Sequence, residues 1–177
     1  MTMPPRLRKV VLTLHVATSV GWLGAVCAYL ALDITAVTGQ DVATVRAAYA
    51  AMAVTVVYAI VPLALASVLI GLVNALCTAW GLFRHYWVLV KFLLTVFAAT
   101  VLLMQTRTVT GLADVATASA DPRDLPGTLL HSIGGLGVLL IALVLSVFKP
   151  RGVTRYGWRR QQDERRTERA RRTHRVG

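Results

Sequence analysis

Four long runs of apolar residues, separated by short polar segments, dominate the chain. The runs cover about residues 10–33, 49–76, 86–105 and 128–148. A helix needs about 20 apolar residues to cross the hydrocarbon core of a bilayer, at 1.5 Å per residue. Each run meets that length. The pattern therefore predicts an all-α fold, an antiparallel four-helix transmembrane bundle formed by residues 1–148 and followed by a tail, residues 149–177.

A polar stripe runs along the first of these predicted helices. At 100° per residue, one face of the run collects six polar or large aromatic side chains: His15, Thr18, Ser19, Trp22, Tyr29 and Asp33. A charged group at the bilayer centre costs about 2.5 to 3.5 kcal/mol. We therefore expect this face to point toward partner helices, a cavity or a cofactor, and not toward lipid.

Two sequence features predict how the helices pack. Pro62 interrupts the second run, and because proline removes a backbone donor and crowds the preceding turn, we expect a kink or tilt there. Small residues recur at four-residue spacing on the first two runs, and the fourth run carries three glycines: Ala17, Gly21 and Ala25; Ser67, Gly71 and Ala75; Gly134, Gly135 and Gly137. Such residues let helix backbones approach closely, which predicts a compact bundle.

Basic residues are distributed unevenly between the two predicted sides of the membrane. The segment before the first run carries Arg6, Arg8 and Lys9, and the loop before the third run carries Arg84, whereas the other two loops are neutral or acidic. Cytoplasmic loops carry an excess of lysine and arginine, so both termini are predicted to be cytoplasmic. Arginine outnumbers lysine sixteen to three, which suggests a GC-rich bacterial genome and hence a bacterial plasma membrane.

The tail, residues 149–177, carries most of the net charge. It holds eleven lysines and arginines against three acidic residues, a net charge of +8 out of +11 for the whole chain. It has no apolar face with which to fold independently. Anionic headgroups attract each basic residue near the surface by about 1 kcal/mol, and no recognisable nucleic-acid module accompanies the charge. We therefore expect the tail to bind anionic lipid headgroups and not nucleic acid.

Three ionisable side chains of the predicted helices are candidates for binding a cofactor, namely His15, Lys91 and His131. With the first and third runs pointing outward, His15 and Lys91 lie about 7 to 8 Å into the membrane from the cytoplasmic side. His131 lies on the outer side, with Tyr29, Asp33 and Gln105 at a similar depth. A neutral imidazole is a standard axial ligand of haem iron, and a buried lysine can pair with a carboxylate. The alternative is that the histidines only pack helices and that Lys91 extends to the headgroups.

Three segments resemble parts of known families. LTLHVATSVGWLGAVCAYLAL, residues 12–32, resembles the first helix of a group of small bacterial membrane proteins. That group includes the haem-containing, oxygen-independent protoporphyrinogen oxidases and the copper-resistance D family. GLFRHYWVLVKFLLTVFAATVLL, residues 81–103, is similar to their third helix, and LSVFKPRG, residues 145–152, to the end of the oxidases. Residues 12–157 resemble an uncharacterised bacterial family of small predicted integral membrane proteins.

The resemblance to the oxidases implies a cofactor site. In that family a histidine on the first helix and a lysine on the third are associated with haem b and with activity. The matching positions here are His15, as the metal ligand, and Lys91. Apart from the resemblance, His131 is a possible outer ligand of the same cofactor.

Two hypotheses about function follow and stay open at this point. No nucleophile–base pair, glycine-rich phosphate loop or zinc-ligand spacing occurs in the sequence. The first hypothesis is a membrane protein that binds b-type haem in a redox role, between the first, third and fourth helices. The alternative is a non-enzymatic membrane component or transport accessory without a cofactor.

Overall fold

The computed structural model describes residues 4–77 and 85–148, together with five positions near the C-terminus, residues 152, 154, 158, 159 and 162. The described part is all-α. Its elements are α1 (Pro5–Thr38), α2 (Val42–Thr55), a π-helical turn (Val56–Ile60), α3 (Val61–Cys77), α4 (Tyr86–Ala118) and α5 (Leu129–Phe148). Because α2, the π turn and α3 run on without a break, they form one span.

Four helical segments are long and apolar enough to cross a membrane, which confirms the predicted fold class. They are Pro5–Thr38, Val42–Leu76, Tyr86–Ala118 and Leu129–Phe148. The prediction for the basic tail, residues 149–177, lies largely outside the described residues. We call the end of the bundle where α1 begins and α5 ends the terminal end, and the opposite end, which contains residues 39–41 and 119–128, the loop end.

Three of the four spans are longer than the apolar runs predict. They contain 34, 35 and 33 residues, about 50 Å of helix at 1.5 Å per residue, against a hydrocarbon core of about 30 Å. The extra turns lie mainly at the loop end, where α1 continues past Asp33 and α4 continues past Gln105. Apolar length locates only the part that fits a bilayer, whereas a helix continues as long as its backbone bonds and packing allow.

The irregularity predicted near Pro62 is a single π-helical turn. The N–H of Val61 donates to the carbonyl of Val56, five residues earlier. Pro62 has no N–H to donate to the preceding turn, and its ring crowds the carbonyl four residues before it. The π-helical turn lies directly before Pro62, and both proline and π-helical turns are common sites of helix kinks.

The four spans stand at the corners of a square. Helix α1 packs against the α2–α3 span on one side and against α5 on the other, and α4 does the same from the opposite corner. Within the described residues, α1 and α4 make no close backbone contact across the diagonal, and neither do α3 and α5. The space along the centre of the bundle is therefore filled by side chains or left as cavities.

The loop end is held together by hydrogen bonds from α2. The guanidinium of Arg46 donates to the carbonyls of Ala116 (3.1 Å) and Ser119 (2.8 Å), at the C-terminus of α4, where the helix dipole favours a positive charge. The hydroxyl of Tyr49 donates to the carbonyl of Leu125 at 3.0 Å. Arg46 and Tyr49 thus join α2 to α4 and to the loop that leads into α5.

A side-chain pair further orders that loop. The Nε of Arg123 donates to Asp121 Oδ1 at 2.9 Å, and its Nη1 donates to the carbonyl of Gln40 at 3.2 Å. The hydrogen bonds from Arg123 lower the pKa of the Asp121 carboxyl to about 2. Residues 119–128 are therefore tied to the turn between α1 and α2.

Candidate functional site

Two cavities lie along the centre of the bundle, one above the other. The loop-side cavity has a volume of about 260 Å³, and the terminal-side cavity has a volume of about 60 Å³. Both are lined by α1, α4 and α5 together with residues of the α2–α3 span. Trp22 and Leu139 line both cavities, and both side chains are buried. These two residues form the partition between the cavities.

Polar groups gather at one end of the loop-side cavity. The side-chain nitrogen of Gln105 lies 2.6 Å from His131 Nε2, and the hydroxyls of Tyr29 and Thr128 are 2.7 Å apart. All four side chains line the cavity, whereas most of its remaining wall is apolar. Tyr29, Gln105 and His131, which the sequence places at similar depth, therefore do surround one space.

Asp33 lies beside this cluster but has its own partners. Its carboxylate is fully buried and accepts from the backbone N–H of Thr128 (2.9 Å), the Thr128 hydroxyl (2.9 Å) and the Ser132 hydroxyl (2.8 Å). The carboxylate thus sits at the N-terminus of α5, where free N–H groups and the helix dipole stabilise a negative charge. Asp33 therefore holds α5 against α1. His131, which lies at a similar depth, forms its hydrogen bond with Gln105 and not with Asp33.

Thr128 and Ser132 also belong to this polar cluster, although they are not among the side chains that the sequence predicts for the site. The signal was present, because the two residues lie four apart at the start of the fourth apolar run and so share a helix face. Thr128 opens the helix, with its carbonyl accepting from the N–H groups of His131 and Ser132. What the spacing could not show is that the partner of this face is an aspartate from α1.

The glycines of α5 have a role other than the predicted close packing. Gly134 and Gly135 line the loop-side cavity, and a Cβ built on either would meet no atom within 4 Å. By contrast, a Cβ on Gly21 would lie 3.4 Å from Leu63, so α1 and α3 do approach closely there. The small residues on α1 and α3 permit close packing, whereas those on α5 enlarge the cavity.

The terminal-side cavity contains Lys91 in a hydroxyl-rich wall. Its polar lining consists of Lys91 and four hydroxyl side chains: Ser19, Ser67, Thr95 and Ser146. The hydroxyls of Ser19 and Ser67 are 2.8 Å apart. Lys91 is partly buried, and within the described part of the chain it forms no ion pair with an acidic side chain.

His15 lies outside both cavities. Its ring packs on α3, where a Cβ added to Gly71 would lie only 2.8 Å from His15 Cε1. Its Nδ1 atom is buried and has no hydrogen-bond partner among the described residues. Lys91 lines the terminal-side cavity and His15 does not, so the two side chains do not line a common space.

The three predicted cofactor residues do not converge on a porphyrin-sized space. His15 packs on Gly71, Lys91 lines the terminal-side cavity, and His131 lines the loop-side cavity. The terminal-side volume of about 60 Å³ is far below the roughly 300 to 1,000 Å³ of typical ligand sites, whereas the loop-side volume of about 260 Å³ lies just under that range. The residues around His15 and Lys91 therefore do not fit haem b in this arrangement. Across the described residues, no cluster of three or more His, Cys, Asp or Glu side chains could hold a metal ion.

Comparisons of the chain with protein-family models, with curated proteins and with solved structures found no match. A proposal about the function therefore rests on the two cavities and on the side chains that line them. The loop-side cavity is the larger, and its polar groups are concentrated at one end.

Proposed function

We propose that this chain is a multi-pass protein of a bacterial plasma membrane, with both termini in the cytoplasm, and that it binds a neutral, membrane-soluble amphiphile. In this proposal it is a non-enzymatic membrane component, and the loop-side cavity is the binding site. The observation that carries the proposal is a cavity of about 260 Å³ whose wall is mostly apolar and whose neutral hydrogen-bonding groups stand together at one end.

The polar groups around the cavity favour a ligand with an uncharged head. Tyr29, Thr128, Gln105 and His131 offer neutral donors and acceptors, and the lining includes no lysine or arginine that would neutralise a phosphate. The nearby carboxylate of Asp33 already accepts three hydrogen bonds. A head that exchanges hydrogen bonds with Gln105 and His131 fits these groups, because both side chains carry donors and acceptors and both line the cavity.

The apolar part of the cavity favours a flat head with a hydrocarbon tail. Gly134 and Gly135 leave one wall without side chains, which gives room to a planar ring. Phe97 and Leu130 line the cavity and are themselves 60% and 84% exposed, so the cavity opens between α4 and α5 onto the surface that lipid would cover. Membrane quinones combine a planar ring, hydrogen-bond-accepting carbonyls and an apolar tail, and we infer that this is the ligand class.

The proposed orientation rests on charge. Arg6, Arg8 and Lys9 lie in the first turns of α1, at the terminal end, and the sequence that follows α5 adds a net charge of +8. The positive-inside rule assigns this end to the cytoplasm. The loop-side cavity then lies in the outer half of the membrane. In the same proposal the tail binds anionic headgroups and not nucleic acid. The resemblance of residues 12–157 to an uncharacterised family of small predicted integral membrane proteins remains a prediction within this proposal.

A quenching titration tests the ligand proposal. Trp22 lines the cavity, so a variant that keeps Trp22 as its only tryptophan, with Trp80, Trp87 and Trp158 replaced by phenylalanine, reports on occupancy. In lipid nanodiscs, we expect a short-chain ubiquinone to quench Trp22 with saturation. Gly135→Leu should weaken this binding at least tenfold, because the new side chain fills the cavity.

Gly111→Leu is the matched control. Gly111 lies on α4 outside the cavity lining, and a Cβ there also meets no atom within 4 Å. The control variant should bind the quinone as the parent does. Quenching that rises linearly without saturation, or that Gly135→Leu leaves unchanged, would contradict the proposed site.

A further inference from the structure

Lys91 carries a positive charge that the loop-side cavity and its proposed ligand do not neutralise. It lies on α4 within the membrane-spanning part of the bundle and lines the terminal-side cavity. No acidic residue of the described ranges pairs with it. A charged group removed from water is costly unless it is paired and hydrogen-bonded. An anion in the cavity would balance the ammonium.

The four hydroxyl groups that line the cavity with Lys91 differ in whether their O–H is available to a ligand. Thr95 and Ser146 donate to carbonyls of their own helices, so only their oxygen lone pairs remain for the cavity. Ser19 and Ser67 share one hydrogen bond. Because one O–H of that pair is enough to make the bond, the other O–H remains free to donate.

The cavity thus offers an anion two kinds of donor, the ammonium of Lys91 and one serine hydroxyl. Hydrogen bonds between charged partners are roughly twice as strong as neutral ones. The volume of about 60 Å³ has room for a few waters, at roughly 10 to 15 Å³ each. That space admits a halide or a formate-sized carboxylate, and it is too small for a lipid phosphate with its glycerol group.

We propose that the terminal-side cavity is a binding site for a small monovalent anion, held by Lys91 and the Ser19–Ser67 pair. The site is separate from the proposed quinone site, because Trp22 and Leu139 stand between them. It does not depend on what occupies the loop-side cavity. The chemistry is shared by chloride and by the smallest carboxylates, and the experiment distinguishes them.

The probe is iodide, which quenches an indole on contact. Trp22 is 2% exposed, so iodide in the bulk solvent does not reach it, but the ring lines the terminal-side cavity. In the variant whose only tryptophan is Trp22, titrated in nanodiscs at constant ionic strength balanced with gluconate, we expect saturable quenching. Chloride and formate should compete, with the stronger competitor identifying the preferred anion, and gluconate should not.

Lys91→Gln should weaken iodide binding at least tenfold, since it removes the charge and keeps a chain of similar size. Lys9→Gln is the matched control, because Lys9 is exposed at the start of α1 and the charge change is identical. Ser67→Ala is a second variant in case Lys91→Gln does not fold. It keeps the ammonium and removes one hydroxyl, so it should weaken binding several-fold.

Three results would overturn the anion site. Quenching that is linear in iodide and equal in the Lys91→Gln and Lys9→Gln variants would show contact from outside the bundle. Equal weakening by both lysine variants would show a general surface-charge effect. Competition by inorganic phosphate as strong as that by chloride would show that the site does not select the smallest monovalent anions, contrary to the proposal.

Discussion

The carboxylate of Asp33 on α1 accepts a hydrogen bond of 2.9 Å from the backbone N–H of Thr128, 95 residues later in the chain. This contact places a buried negative charge at the N-terminus of α5 and fixes the start of that helix against α1. Thr128 also bonds to Tyr29, whose ring lines the loop-side cavity. The contact between Asp33 and Thr128 therefore shapes the polar end of the proposed quinone site.

Replacing Asp33 with alanine should destabilise the bundle by about 3 kcal/mol. The substitution leaves the N–H of Thr128 and two hydroxyls without their acceptor, and buried groups that lose a charged partner cost about 1 to 3 kcal/mol each. The measurement is the unfolding midpoint in sodium dodecyl sulfate by circular dichroism. Asp114→Ala, at an exposed position on α4, is the control and should change stability by no more than about 0.5 kcal/mol. Equal unfolding midpoints for the two variants would contradict the stabilisation of the α5 N-terminus by Asp33.

Gly71→Ala should destabilise the α1–α3 contact by about 1 to 3 kcal/mol, as overpacking typically does. The added Cβ would lie 2.8 Å from His15 Cε1, so the ring or the helix must shift. Combining the change with His15→Ala should remove much of the penalty, because residues in contact are not additive. Gly24→Ala, where a Cβ meets nothing within 4 Å, is the control. A fully additive double variant would show that Gly71 and His15 do not meet.

The sequence predicts the fold class and part of the site, for a clear physical reason. Apolar runs of about 20 residues identify membrane spans because lipid imposes a length. The 100° period correctly assigns Trp22, Tyr29 and Asp33 to one inward face, and all three are buried. Helix ends are not predictable in this way, since α4 continues 13 residues past the predicted end at Gln105 as a partly polar helix.

Other features depend on which helices become neighbours, which a helical period cannot show. His15 belongs to the same stripe as Trp22 but packs on Gly71 of α3, whereas Trp22 separates the cavities. The sequence also does not show whether a small residue permits close packing or leaves space. A Cβ on Gly21 would meet Leu63, whereas a Cβ on Gly135 would meet no atom within 4 Å. Periodicity gives the face on which a residue lies, and the arrangement of the four spans decides what that face meets.

The proposed orientation predicts which side of the membrane each end of the bundle occupies. With Cys27 and Cys77 replaced by alanine, a cysteine at the exposed loop position Ala120 should react with a membrane-impermeant maleimide in intact cells. A cysteine at Arg6, which is exposed at the start of α1, should react only after permeabilisation. The reverse pattern would place the basic terminal end outside and exchange the sides of the two cavities.

The haem hypothesis has a direct optical test. Because His15 packs on Gly71 and lines neither the loop-side nor the terminal-side cavity, we expect protein purified after expression with ample haem to show no Soret band that depends on His15. The measurement compares the absorption spectra of the parent and of His15→Ala at equal protein concentration. A Soret band in the parent that His15→Ala abolishes would require α1 and α3 to separate, and it would favour the redox role over the role proposed here.

Photo-crosslinking tests the central claim, a quinone-class ligand in the loop-side cavity, most directly. A quinone carrying a photoreactive group on its ring, bound in nanodiscs and illuminated, should label peptides of α4 and α5 around Gln105 and His131, as mass spectrometry would show. Labelling should disappear with excess unmodified quinone and in Gly135→Leu, and it should persist in Gly111→Leu. Labelling spread over the lipid-facing surface, or equal in the two glycine variants, would contradict the claim.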